Sequence, residues 1–263
     1  MKKAFCIAAV FVLALGVAAC SSPAAEERRS EEAQTAAPQE TATSSMSEDP
    51  AAETAIDVVV FADSVLEERV RQQTGLLDGD ITFEQAEAVT SLDLDNKDND
   101  PNASIKDLSG LEHFKNVTAL TISQNDISDL SPIGDMNLGV FYSMNGNPGI
   151  TDFTPLANST DMLDLTILGN ENINDSNIGF IADMTNMEML WIQGAPELSD
   201  ISAVSNFPNV YRLIFIDCNI SDVSPLAGLE NLKVLDLEGN PIEDYSPLAD
   251  IYPNLEEKDF EME

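Results

Sequence analysis

One histidine, three cysteines and a large surplus of carboxylates set the chemistry open to this 263-residue chain. A Ser/His/Asp triad would have to run entirely through His113. That residue together with Cys6, Cys20 and Cys218 cannot build a Cys/His zinc cage or a histidine-clustered metal site. Acidic pairs such as Asp236 and Glu238 have the residue types of glycosidic acid–base work. They fall on alternating positions of an apolar-polar pattern, with no sequence sign of a deep pocket. The run Asp95-Asn96-Lys97-Asp98-Asn99-Asp100-Pro101-Asn102 is rich in the hard oxygen ligands that calcium prefers. Its spacing matches no EF-hand loop and Lys97 interrupts it, so a solvated turn is expected. With 47 acidic and 12 basic side chains the formal charge is −35, which disfavours nucleic acid and bare anionic bilayers as partners. The expectation is a non-enzymatic protein with no catalytic residue, no metal and no cofactor.

The N-terminus reads as an address. A basic head, Lys2-Lys3, precedes an apolar stretch from Ala4 to Val17 and the small residues Val17-Ala18-Ala19-Cys20. This is the anatomy of a secretory signal, and the stretch is short for a membrane-spanning helix, which needs about 20 apolar residues. The last four residues resemble the lipobox of bacterial lipoproteins. That resemblance implies cleavage after residue 19 and a lipid on Cys20, with two or more acyl chains giving a stable membrane anchor. Residues 20–55 carry no aromatic side chain and few branched apolar ones, too little to offset ordering entropy by burial, and are expected to form a disordered acidic tether. Cys6 leaves with the signal, so Cys218 is the one thiol left free.

What must position any binding residues is a repeat. From residue 89 onward a period of 22 to 25 residues recurs after one longer first unit, with units starting at Val89, Val117, Gly139, Met162, Met187, Val210, Leu232 and Leu255. This is the spacing of leucine-rich repeats. Apolar pairs two apart, such as Leu92/Leu94, Leu120/Ile122, Leu165/Ile167 and Leu235/Leu237, predict short strands with one face in the core. Asn125, Asn147, Asn170 and Asn240 follow at a turn, where a stacked amide can satisfy the backbone of adjacent coils; Ala195 and Cys218 replace it in two units. Ser131-Pro132, Thr154-Pro155, Ser224-Pro225 and Ser246-Pro247 predict short helical turns on the return side, with the hydroxyl as N-cap and proline at the first helical position. Aspartates recur just before these caps, a regularity that argues for a role in the turn.

Residues 56–88 do not repeat. Asp63 or Ser64 can cap a helix reaching about Thr74 and ended by Gly75, and Thr82 to Gln85 has the pattern of a capping box. A solenoid needs its first coil covered, and this segment is expected to cover it. The cap FADSVLEERVRQQTG…ITFEQAEAVTSLDL, followed by units such as ISDLSPI and ISDVSPLAGLENLKVLDLEGNPI, resembles the internalin-type leucine-rich-repeat family of bacterial surface proteins. The resemblance covers about residues 56–263. It implies an α/β solenoid, curved, with parallel strands lining a concave face, short helices or turns on the convex side, and use of the concave face to bind another protein.

Counting from the unit starts, the middle of that face should carry Phe141, Leu168, Met189, Trp191, Ile214, Ile216 and Val234, with Arg212 beside them and acidic residues at both ends. Apolar stripes with polar rims mark interaction sites, and Trp, Met and Arg are favoured in them. The expected partner is a protein with an exposed apolar surface, met outside the cytoplasm by a module held to the membrane or outer envelope through lipidated Cys20. The alternative is a structural or assembly component of the envelope that holds wall or neighbouring subunits with the same solenoid.

Overall fold

The computed structural model describes residues 57–262. The signal, Cys20 and the whole of the tether lie outside the described residues. Within them, six of the eight coils turn an apolar pair inward on a short strand; the third turns in Phe141 and Ser143, and the last puts Lys258 in register with Leu235. The strands are β1 (Ser91–Asp93), β2 (Ala119–Thr121), β3 (Val140–Met144), β4 (Asp164–Leu168), β5 (Met189–Gln193), β6 (Arg212–Ile216), β7 (Val234–Asp236) and β8 (Glu257–Lys258). They form one parallel sheet in the order β1 to β8, each strand paired with the next in sequence. The inward positions Leu120, Phe141, Leu165, Leu190, Leu213 and Leu235 fall in register and are wholly buried. Parallel strands require a crossover between them, and here that crossover is a corner, a short return segment with a 3-10 turn, and a second corner.

The corner after each strand bends through a left-handed residue at the same place in every coil from the second to the seventh. Gln124, Asn145, Gly169, Gly194, Asp217 and Gly239 all have positive φ there. Next comes an asparagine, buried at Asn125 and Asn147 and half-buried at Asn240. Asn125 accepts from the Ile105 amide at 2.9 Å, Asn147 from Ile127 at 3.0 Å and Asn240 from Ile220 at 3.0 Å. Their amide nitrogens donate back to carbonyls of the neighbouring coil, Leu94, Ile122 and Phe215 respectively. Buried polar groups must be paired, and these side chains pair the corner backbone of adjacent coils. In the first coil the buried Asn96 falls one residue earlier, in register with Gln124, and bonds to the backbone of Asp100 on both sides of its amide. Cys218 replaces asparagine and is buried, and burial pushes its thiol up to about 11.

The return turns differ from expectation in which residue caps them. Ser131, Thr154, Ser224 and Ser246 are the first residues of the 3-10 turns, and their hydroxyls do not cap them. The aspartate two residues earlier takes that role: Asp129, Asp152, Asp222 and Asp244 accept from those backbone amides at 2.8 to 2.9 Å. A carboxylate is the stronger acceptor for an exposed amide, which leaves the hydroxyl free to donate to the same aspartate, as Ser131 and Thr154 do. Asp107 and Asp200 repeat the arrangement with Ser109 and Ser202. Asp175 instead reaches one coil further to the amides of Ser199 and Asp200.

Ahead of β1, helix α1 (Ser64–Thr74) is capped by Asp63 and ended by Gly75 in the left-handed conformation. Helix α2 (Phe83–Glu87) starts at a capping box between Thr82 and Gln85. Arg69 of α1 reaches into the first coils, donating to the Leu94 carbonyl at 2.6 Å, to Asn125 Oδ1 at 3.1 Å and to the Ala103 carbonyl. One guanidinium thus joins α1 to the corners of two coils.

Candidate functional site

The face of the sheet opposite the core carries three rows of side chains fixed by strand register. The first row runs Val140, Asp164, Met189, Arg212, Val234; the second Tyr142, Thr166, Trp191, Ile214, Asp236; the third Met144, Leu168, Gln193, Ile216. Met189, Trp191, Arg212, Ile216 and Val234 lie on this face and are half-buried. Leu168 and Ile214 lie on it too but are only 6% and 4% exposed. This departs from the expected site, in which both were contact residues. Strands about 4.8 Å apart leave little room between long side chains, and Leu168 is flanked by Met144 and Gln193, Ile214 by Trp191 and Asp236. These two form the floor of the stripe.

Phe141 is a clear correction. It is fully buried and sits in register with Leu120 and Leu165, inside the core. The third coil holds one more residue between its strand and its asparagine than the others. Asn145, Gly146 and Asn147 all have positive φ and take up that residue within the corner. Phasing the coil from Asn147 therefore shifts its strand by one residue and exchanges the two faces, as any one-residue slip does. The unit starts at Leu138, and the residues that face outward are Val140, Tyr142 and Met144. Leu163 and Tyr211, 42% and 44% exposed at the entry to β4 and β6, extend the apolar surface beyond the strands. The signal that could have found Val140, Tyr142 and Met144 is the strand phase, which puts Val140 in the row that continues to Met189 and Tyr142 in the row that continues to Trp191.

Two polar atoms in this face are buried without a partner, the indole nitrogen of Trp191 and Oδ1 of Asp164. Asp164 Oδ2 accepts from the Tyr142 hydroxyl at 2.5 Å. Burial raises the Asp164 carboxyl to about 6, against the pull of Tyr142 and Arg212 and with a smaller push from Glu188. The Tyr142 hydroxyl is raised by burial and by the adjacent carboxylate. Around this centre the charges are acidic. Toward β8, burial raises Asp236, helped by Asp259 and Glu238. Toward β1, Asp93 pairs with Lys97 at 2.6 Å and accepts from Thr121 at 3.1 Å. Burial alone would lift its carboxyl; the Lys97 and backbone hydrogen bonds bring it below the usual range.

The 95–102 segment spends its oxygens on its own chain. Asp95 accepts from the Ser123 amide, Asn96 binds the backbone of Asp100, and Asp100 accepts from Asn102. Among the described residues no group of three or more His, Cys, Asp or Glu side chains is placed to hold a metal ion. His113 lies at the end of a 3-10 turn, stacked on Phe83 with ring centroids 3.9 Å apart. It is beside α2 and away from the open face.

An ordered parallel sheet of recurring coils with an asparagine at most of the corners defines the leucine-rich-repeat solenoid, and a two-copy leucine-rich-repeat profile matches residues 208–250. More particularly, the solenoid is similar to internalins of Listeria monocytogenes. One internalin superposes with a TM-score of 0.68 at 29% identity over 76% of this chain and 56% of its own, and internalin C2 with 0.58 at 26% identity over 76% and 94%. A leucine-rich-repeat protein of Leptospira interrogans shares the fold, with a TM-score of 0.57 at 19% identity over 67% of this chain and 44% of its own. Human leucine-rich repeat-containing protein 56 is 38% identical over 76 residues, 27% of this chain, which spans only 14% of that protein. The chain thus has the leucine-rich-repeat fold, and among the described residues no helix is long and apolar enough to cross a membrane.

Proposed function

We propose that this chain is a non-enzymatic capture module, held outside the cytoplasm by a lipid on Cys20 and binding a protein through the open face of its sheet. The observation that carries the reading is the contiguous apolar surface from β3 to β7, about 19 Å across at a strand spacing near 4.8 Å, with Trp191 at its centre and one buried indole N–H left without an acceptor. Trp, Tyr, Met and Arg, the types most enriched where proteins dock, meet there. Carboxylates stand at both ends of the stripe, so the partner offers an apolar centre flanked by basic groups. The lipobox-like Val17-Ala18-Ala19-Cys20 supports the anchor, and the acidic segment 21–55 supports a spacer between anchor and solenoid.

Two measurements test this. Cys20→Ser should release the protein from the membrane fraction into the soluble one. Cross-linking on intact cells should recover one protein with the native chain and lose it with Trp191→Ala. Retention of both forms by isolated cell wall would instead place the chain among structural components of the envelope.

A further inference from the structure

We propose that the open face is gated by a proton on Asp164: neutralising this one carboxylate removes a negative charge from between the apolar side chains of Val140 and Met189, so the site takes an uncharged apolar segment more tightly in acid than at neutral pH. This rests on the reading of the face as a docking surface and names how that surface is regulated. Register places Asp164 between Val140 and Met189, in the row that continues to Arg212. It is the only carboxylate among the strand residues of β3 to β6 on that face. Its two oxygens are unequal: Oδ2 holds the Tyr142 hydroxyl and Oδ1 is sealed from solvent with no donor.

The groups facing it settle the sign. From β3 the Tyr142 hydroxyl donates to the charged carboxylate and favours it; from β6 Arg212 favours it as well. Glu188, at the entry to β5, opposes it, and so does burial, which outweighs the rest. An apolar segment laid over the stripe removes the remaining water from the carboxylate and brings no cation. Desolvation disfavours the charged form, so docking raises the proton affinity of Asp164 and is tightened by protonation in return. The carboxyl already titrates near 6 in the free face. With a ten- to hundredfold rise in proton affinity on docking, well within what burial achieves, affinity rises about tenfold between pH 7.5 and pH 5.

The test uses the full chain and Nile red, a neutral dye that fluoresces in apolar surroundings. Dye affinity should rise about tenfold from pH 7.5 to pH 5, and emission of Trp191, the only tryptophan, should change with a midpoint near 6. Asp164→Asn should bind with the acid affinity at both pH values and lose the Trp191 transition. Tyr142→Phe should move the midpoint upward, because it removes a donor to the charged form; a residue that only supports the fold would not move it. Affinity independent of pH, a transition that survives in Asp164→Asn, or weaker binding in acid overturns the proposal, the last by showing that the charged carboxylate recruits a cation. The dye and Trp191 readings need no protein partner. Failed cross-linking with an intact dye response therefore counts against protein docking alone, and the reverse result against the proton gate alone.

Discussion

Asp164 and Gly239 make opposite kinds of demand on the fold. Asp164 has a folded-state carboxyl near 6 against an ordinary value of 3.8, so between those values the folded chain binds more protons than the unfolded one. Stability from this group is therefore gained as pH falls from 6 toward 4 and is lost above it. Asp164→Asn keeps an acceptor for Tyr142 and removes the buried charge. Chemical denaturation should find the variant more stable by about 2 kcal/mol at pH 8 and the advantage gone by pH 4. Gly239 occupies the left-handed corner with φ 81°, and a Cβ there would stand 2.5 Å from Asp217 Oδ1. Gly239→Ala should cost about 1–2 kcal/mol, for a conformation that L-residues disfavour and for the displaced carboxylate. Denaturant midpoints of the two proteins measure it.

At the scale of the element, the corner is what repeats most faithfully. Asn147 is fully buried and serves two coils at once, accepting from Ile127 and donating to Ile122 and Ser143. Asn147→Ala strands those groups away from water and should destabilise by about 2–3 kcal/mol, with thermal unfolding as the measure. Arg69→Met keeps the aliphatic stem but drops the bonds to Leu94, Ala103 and Asn125. Hydrogen exchange in α1 should then speed up relative to β4–β6. The strands, the corner asparagines and the recurrent turns are all legible in the sequence, because each depends on local spacing. The phase of β3 was not: an extra left-handed residue at Gly146 moves Asn147 relative to Phe141, and spacing alone cannot say on which side of the corner an added residue falls. The capping role of Asp129 or Asp222 was hidden for a different reason. Aspartate and the Ser or Thr two residues later are both good caps, and only geometry decides which oxygen meets the amide. Leu168 and Ile214 lie on the face that the spacing predicts, but their burial depends on neighbours in adjacent coils that sequence periodicity does not weigh.

For the whole molecule, acid acts in two directions. The turn carboxylates Asp107, Asp152, Asp175, Asp222 and Asp244 are held below their ordinary range by hydrogen bonds from the serine, threonine and backbone amides that follow or face them. Their contribution is present above pH 4 and is lost as pH falls through their lowered values, while Asp164 gains in the window just above. A thermal melt followed from pH 8 to pH 3 should therefore pass through a maximum between about 4 and 6, and Asp164→Asn should shift that maximum to higher pH. Each coil touches mainly its neighbours, so stability should propagate along the stack as it does in other repeat proteins.

The three left-handed residues Asn145, Gly146 and Asn147 show that this corner lengthens by one residue while β3 stays in register with both neighbours. Such a corner works as an expansion joint: chain length varies there without rephasing the face. It is thus the place in the solenoid to splice a short reporter peptide, between Asn145 and Gly146, while the surface around Trp191 keeps its shape.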